Sequence, residues 1–141
     1  MTCYVVDVCI TIKWFIPEIF SEEATQLLSP DCDLIAPDYF LIEAANILWK
    51  KTRRNEINLE GAHQILAALP NSPIQSRDTH SFLYAAFDLS HQTGRSLYDC
   101  LYLYLAIQEK CQMVTADEKL YNGLKNTEWS RYLLWVENFS P

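Results

Sequence analysis

The chain has 141 residues, half of them hydrophobic, and its 18 acidic against 11 basic residues give a formal net charge of −7. This length fits one compact domain with a self-sufficient core, here residues 1–141. The charge excludes a surface that binds nucleic acid by phosphate neutralisation alone, so a polyanionic substrate would need a cation. The three glycines lie far apart. Their spacing excludes a glycine-rich phosphate loop for a nucleotide cofactor.

The five cysteines are widely spaced, form no Cys-x-x-Cys pair and have no histidine at zinc-site spacing. We therefore expect free thiols in a reducing compartment. The longest purely apolar run, Cys100–Ile107, is far shorter than the roughly 20 residues that a bilayer requires. Asp7 and Lys13 interrupt the apolar N-terminal segment, which argues against a signal peptide. We expect a soluble, cytoplasmic protein without membrane contact.

Apolar runs and helix-capping residues alternate along the chain. The predicted strands are 3–8, 34–36, 73–77, 113–116 and 132–136. Seven helices are predicted. Two begin near residue 10 and at residue 21, and the other five span 38–54, 58–69, 79–93, 97–110 and 117–124. Asn58 and Ser96 have the residue type of an N-cap. The strands are continuous apolar runs, which indicates an α/β fold with a parallel sheet covered by helices on both faces.

Four acidic residues lie at the starts or ends of these apolar elements: Asp7, Glu43, Asp99 and Asp117. Each has an ordinary alternative role. Asp7 can cap the helix that follows it, and Glu43 can be a first-turn acid favoured by the helix dipole. Asp99 can bind the Ser96 amide in a capping box, and a Thr115–Glu118 capping box would leave Asp117 incidental. Because ligands bind beyond the carboxyl ends of parallel strands, the four acids together predict a metal-binding cluster.

Such a cluster requires a divalent cation. Two carboxylates about 4 Å apart repel each other by about 4 kcal/mol at an effective dielectric constant of about 20. Ligand sets of oxygen alone suit Mg²⁺ or Mn²⁺, and Mg²⁺ usually binds only one or two carboxylates directly while keeping several waters. The remaining acids are expected to act through water.

These residues resemble the PIN-domain nucleases, and specifically the VapC-type toxins of bacterial toxin-antitoxin pairs. The resemblance covers essentially the whole chain and rests on four segments: Tyr4-Val5-Val6-Asp7 followed by Lys13-Trp14-Phe15, Glu43 within 37–50, Ser96-Leu97-Tyr98-Asp99, and Thr115-Ala116-Asp117. It implies a three-layer α/β/α fold with a mainly parallel central sheet. It also implies that Asp7, Glu43, Asp99 and Asp117 are both the metal ligands and the catalytic residues.

The resemblance further implies that a metal-activated water hydrolyses RNA, leaving a 5′-phosphate and a 3′-hydroxyl, and that the enzyme is a homodimer neutralised by a cognate antitoxin. The alternative is a PIN-like domain with impaired catalysis that binds RNA or a protein partner without cleaving. Cys9 favours that alternative, because the family usually carries Ser, Thr or Asn at this position and a thiol is a weaker donor. A phosphorylation receiver domain, a third possibility, would need paired acids before the end of the first strand, and this chain has none there.

The remaining polar and aromatic candidates each have a structural alternative. Lys13, Arg95 and Lys119 flank the acids and can hold RNA phosphates or be solvated charges. The basic group Lys50, Lys51, Arg53 and Arg54 can dock an acidic partner segment or complement a helix dipole. Trp14, Phe15 and Trp49 can line an antitoxin groove or belong to the core. The three histidines lie far from any candidate nucleophile, so a Ser or Cys triad has no support.

Overall fold

A computed structural model describes residues 1–141. Its five strands are β1 (Thr2–Val6), β2 (Cys32–Pro37), β3 (Ile74–Arg77), β4 (Gln112–Thr115) and β5 (Leu133–Trp135). Its seven α-helices are α1 (Val8–Lys13), α2 (Ser21–Gln26), α3 (Phe40–Arg53), α4 (Leu59–Ala68), α5 (Leu83–Thr93), α6 (Leu97–Glu109) and α7 (Glu118–Leu124). None of these helices combines the length and the apolar character needed to cross a membrane.

The strands form one sheet in the order β3-β2-β1-β4-β5, and every neighbouring pair is parallel. The predicted parallel α/β architecture is therefore confirmed. β1 lies at the centre, between β2 and β4, so its carboxyl end is surrounded by the ends of two other strands. Ligands of open parallel sheets bind at this edge.

Successive residues of the strands pack on opposite faces of the sheet, which gives two cores. Val5, Ile35 and Met113 belong to a cluster of 23 buried residues that includes side chains of α3, α5 and α6. Val6, Leu34 and Val114 belong to a cluster of 8 buried residues that includes Ala24 of α2. Because side chains of a strand alternate in direction, strands buried on both faces must be apolar throughout. This is the three-layer arrangement that the resemblance implies.

The predicted caps explain where several helices begin. The Asn58 side chain accepts a hydrogen bond from the Gly61 amide at 2.7 Å, and the Ser96 hydroxyl accepts one from the Asp99 amide at 3.1 Å. These bonds satisfy amides that have no partner within the first turn of a helix.

Two predicted helices begin later than expected. Residues 79–82 form a 3-10 turn and α5 begins at Leu83, because the Asp78 side chain caps the turn by accepting from the His80 amide. The helix predicted from residue 38 begins at Phe40. Its first residues are still held by the sheet, since the Asp38 amide donates to the Arg77 carbonyl at 2.9 Å.

Candidate active site

Adjacent strands bring Asp7 and Asp117 to the same edge of the sheet. Asp7 directly follows β1, and Asp117 lies two residues beyond the end of β4. The two strands pair with Val6 opposite Val114, and the Asp7 amide continues the ladder by donating to the Val114 carbonyl at 3.1 Å. The pairing of β1 with β4 therefore fixes the backbone positions of both Asp7 and Asp117.

The Asp7 carboxylate is buried, with 9% of the residue exposed, and does not cap α1. Thr115 Oγ1 donates to Asp7 Oδ2 at 2.8 Å, and the nearby Cys9 side chain lowers the pKa of the same carboxylate. The Thr115 hydroxyl itself accepts from the Asp117 amide at 3.0 Å, so its proton is directed at Asp7. Asp7 is thus oriented by β4 rather than used as a helix cap.

Glu43 approaches the same edge from the first turn of α3. The hydroxyl of the buried Tyr102, on α6, donates to Glu43 Oε1 at 2.7 Å. Tyr39 packs edge-on against Tyr102 with ring centroids 5.7 Å apart and donates its hydroxyl to the Tyr98 carbonyl. Three tyrosines therefore line this side of the site, and one of them, Tyr102, holds one oxygen of Glu43.

Asp99 lies in the first turn of α6 and forms only half of a capping box. Its amide donates to Ser96, but no bond runs from the Ser96 amide back to the Asp99 carboxylate. Arg95 Nε lies 4.0 Å from Asp99 Oδ2. The Arg95 side chain crosses Gly123, where an added Cβ would lie 2.6 Å from the guanidinium, so glycine leaves room for it.

Asp117 also has a structural role, which the sequence did not indicate. It is the N-cap of α7, and its Oδ1 accepts from the Leu120 amide at 3.2 Å. The alternative Thr115–Glu118 capping box does not form, because Thr115 instead accepts from Asp117 and donates to Asp7. The second carboxylate oxygen of Asp117 has no hydrogen-bond partner within the chain.

The four carboxylates lie close enough to influence one another. Burial raises the pKa of Asp7 from 3.8 to about 6, and the charges of Asp99 and Asp117 add to this while Thr115 and Cys9 lower it. Burial likewise raises the pKa of Glu43 from 4.5 to about 7, with contributions from Asp7 and Asp99. Burial and the charge of Asp117 raise the pKa of Asp99, which Arg95 only partly opposes. The edge therefore concentrates negative charge that the protein leaves largely uncompensated.

The donor set fits a hard divalent cation. It consists of carboxylate oxygens from Asp7, Glu43, Asp99 and Asp117, with no histidine or thiolate that would favour zinc. No three of the chain's Asp, Glu, His or Cys side chains are placed to hold one ion directly. That spacing suits Mg²⁺, which takes one or two carboxylates and reaches other acids through its waters.

The sequence and fold of the chain match known proteins. A family model of the PIN domain matches residues 4–123. Ribonuclease VapC3 from Pyrobaculum aerophilum is 31% identical over 119 residues, which cover 82% of this chain and 90% of the relative. The chain belongs to the PIN domain family. The predicted resemblance to PIN-domain nucleases and VapC proteins is thereby confirmed.

Two solved structures share the fold of this PIN domain. PAE2754 from Pyrobaculum aerophilum superposes with a TM-score of 0.68 at 20% identity, covering 96% of this chain and 92% of that one. VapBC2 from Rickettsia felis, bound to a DNA fragment from its promoter, gives 0.61 at 15% identity, covering 95% and 98%. At these identities the likeness concerns the architecture, and it agrees with the PIN-like fold that the resemblance implied.

Several side chains near the site have roles that differ from those considered in the sequence. Lys13 is buried and paired with Glu18 at 3.0 Å, so it is not free to hold an RNA phosphate. Phe15 packs against the larger core cluster and Trp14 against the smaller one. Trp49 is 55% exposed and does line a groove.

Thr115 and Tyr102 are the orienting residues that sequence reasoning did not single out. Both occur inside segments that resemble the family, but nothing local distinguishes a hydroxyl that meets a carboxylate from one that meets solvent. Thr115 contacts a residue 108 positions away, and Tyr102 contacts one 59 positions away. Only the sheet order and the packing of α6 on α3 create these pairs.

We expect Thr115→Val to weaken metal binding by roughly 10- to 100-fold, since groups that orient a metal ligand typically have effects of this size. Valine keeps the shape of threonine but removes the donor to Asp7 and the acceptor for the Asp117 amide. The loss of a buried hydrogen bond should also lower the free energy of unfolding by about 1–3 kcal/mol. Titration of Mg²⁺ by calorimetry measures the first effect and urea unfolding the second. Thr115→Ser, which keeps the hydroxyl, should bind like the wild type; equal affinity in the valine variant would contradict the role.

Proposed function

We propose that this PIN domain is a metal-dependent endoribonuclease that acts as the toxin of a toxin-antitoxin pair. The observation that carries the proposal is the group of four acids at one sheet edge, two of which have pKa values raised to about 6 and about 7. Carboxylates held together without compensating cations favour a divalent ion. Similarity to Ribonuclease VapC3 supports RNA as the substrate, and the VapBC2 complex supports an antitoxin partner.

Asp7, Glu43, Asp99 and Asp117 would hold the ion, which is Mg²⁺ or Mn²⁺. When bound, such an ion polarises a phosphodiester and lowers the pKa of a coordinated water. The chain's own contribution is orientation. Thr115 fixes one oxygen of Asp7, Tyr102 fixes one oxygen of Glu43, and the cap of α7 fixes one oxygen of Asp117.

Positive charge for the RNA backbone is available at the end of α3. A cavity of about 330 Å³ extends from Cys9 to this helix and is lined by Lys50, Lys51 and Arg54. Lys51 is paired with Glu18 and Glu56, whereas Lys50 and Arg54 have no ion-pair partner in the chain. Lys50 follows Glu43 by seven residues on the same helix, so the two lie on one face about 10 Å apart along the axis. We therefore propose that Lys50 and Arg54, at the end of α3, bind RNA phosphates and not an acidic segment of a partner protein.

The groove between α3 and α4 supports the antitoxin as a partner. It has a volume of about 210 Å³ and is lined mainly by apolar side chains, including the exposed Trp49, Leu59 and Leu66. Exposed apolar grooves of this kind accept an amphipathic helix of a partner. The homodimer remains a prediction, for which Tyr84, Phe87 and Tyr98 provide exposed apolar surface.

The decisive experiment is cleavage of single-stranded RNA by the purified chain. We expect cutting with Mg²⁺ or Mn²⁺, its loss on adding a chelator, its return on adding excess metal, and its loss in Asp99→Asn. Asp88→Asn, an exposed acid of α5, is the matched control and should cut like the wild type. Addition of the cognate antitoxin should suppress the cutting.

Two results would contradict the nuclease proposal. Cleavage that persists in chelator would show that the reaction needs no metal. Equal cleavage by Asp99→Asn and the wild type would show that the acid cluster is not the active site. RNA retention without any metal-dependent product would instead support the binding-only PIN domain that Cys9 favours.

A further inference from the structure

Two cysteines that are distant in sequence meet at the other edge of the sheet. Cys3 on β1 and Cys111 just before β4 each lie one residue before the paired residues Tyr4 and Gln112. Continued by one position, the parallel register sets the two cysteines opposite each other. Both also pack against the same core cluster as Val5 and Met113, so their side chains lie on one face of the sheet.

The two thiols are neighbours across the sheet, and each sulfur influences the ionisation of the other. Neighbouring residues of paired strands lie about 5 Å apart at Cα, within the range that a disulfide spans. Both cysteines are free and half-buried, and both line a surface cavity of about 390 Å³. A small reagent can therefore reach them.

We propose that Cys3 and Cys111 form a reversible disulfide by exchange with a low-molecular-weight disulfide. The thiolate of one cysteine attacks a sulfur of the reagent and releases one thiol, leaving a mixed disulfide. The second thiolate then attacks the protein sulfur of that mixed disulfide and releases the other thiol. In sum the protein loses two protons and two electrons, which reduce the reagent to two thiols.

This bond would join the two strands whose far ends carry the candidate metal site. β1 leads to Asp7, and β4 leads to Thr115 and Asp117. A link between residues 3 and 111 closes about three quarters of the 141-residue chain into a loop, and a disulfide restricts the unfolded chain more the longer this loop is. Burial raises the pKa of Cys111 to about 12, so little of this thiol is ionised at neutral pH and its exchange with a disulfide is slow.

The test is oxidation of the full-length wild type with oxidised glutathione, followed by alkylation of the remaining thiols and peptide mass mapping. We expect a Cys3–Cys111 cross-link that dithiothreitol reverses, and a rise in Tm of roughly 5–10 °C relative to the reduced protein. Cys32→Ser is the matched control, because Cys32 also lies at this edge but packs against the opposite core cluster. It should keep the cross-link.

Cys3→Ser and Cys111→Ser should each lose the cross-link and the rise in Tm, and should carry glutathione on the remaining cysteine. Glutathione adducts on both cysteines of the wild type without a cross-link would overturn the proposal, as would a cross-link that joins any other pair. Mapping of the wild type decides the matter even if a variant folds poorly. The outcome is independent of nuclease activity, since no RNA or metal is involved.

Discussion

Asp7→Asn should abolish metal-dependent RNA cleavage and at the same time make the metal-free protein more stable. We expect cleavage to fall by more than roughly 100-fold, because residues that merely orient a metal ligand already change activity by 10- to 100-fold. The stability gain has a separate cause. The pKa of Asp7 is raised from 3.8 to about 6, so at pH 8 its ionised form is less favourable in the folded chain than in the unfolded chain.

The expected gain follows from that difference. A shift of about two pKa units corresponds to about 3 kcal/mol between the two states, and asparagine removes the charge while keeping the shape of the side chain. We expect an increase of about 2–3 kcal/mol in the free energy of unfolding at pH 8 in chelator, measured by urea denaturation. With saturating Mg²⁺ the order should reverse, because only the wild type gains the binding energy of the ion.

Asp88→Asn again provides the control, since Asp88 is exposed on α5 and its replacement should change neither quantity. A variant at Asp7 that cuts RNA like the wild type would show that Asp7 is not a ligand. A variant that is less stable than the wild type in chelator would show that Asp7 has a structural role even without metal.

The architecture could be predicted from the sequence because its causes are local. β1 and β4 are apolar on both faces, and that property alone indicates a covered parallel sheet. The cap residues Asn58 and Ser96 set helix starts through bonds only three residues long. The order β3-β2-β1-β4-β5 is different, because strand order depends on which helices cross which face, and no local pattern encodes it.

The roles of individual side chains at the site could be predicted from the sequence only in part. The alternative for Asp7 was a helix cap and the alternative for Asp117 an incidental first-turn acid, yet in the structure it is the Asp117 side chain that caps a helix and the Asp7 side chain that does not. The difference arises from Thr115, whose hydroxyl lies between the two residues and directs its proton to Asp7. Cys9, which argued for impaired catalysis, lies near the Asp7 carboxylate and lowers its pKa, although the Asp7 side chain takes its hydrogen bond from Thr115.

Charges were the least predictable feature, since the partner of a lysine is set by tertiary packing. Lys13 was a candidate for binding RNA because it follows Asp7 closely in sequence. In the structure it points to Glu18, which it shares with Lys51 of α3. The proximity of Cys3 and Cys111 could not be predicted from the sequence either, because it depends on the register of β1 against β4.

The metal-free protein should be most stable near pH 4 and lose stability toward pH 8. Asp7 and Glu43 have folded-state pKa values of about 6 and about 7, against ordinary values of 3.8 and 4.5. Between about pH 4 and pH 7 the folded chain therefore binds more protons than the unfolded chain, so its stability falls as the pH rises. Asp7 accounts for about 3 kcal/mol of this loss, and the half-buried Glu43 for less because solvent screens it.

Glu18 sets the acid side of this maximum. Burial alone would raise its pKa, but the hydrogen bonds and charges of Lys13 and Lys51 outweigh burial and hold the pKa below its ordinary 4.5. Its contribution is therefore present above about pH 4.5 and lost as the pH falls further. Measured in chelator, Tm should peak near pH 4, and Glu43→Gln should flatten its decline between about pH 5 and pH 7. Saturating Mg²⁺ should raise Tm most at pH 8, where the acids are ionised. A Tm that instead climbs steadily from pH 5 to pH 8 in chelator would mean that the pKa values of Asp7 and Glu43 are not raised in the folded chain.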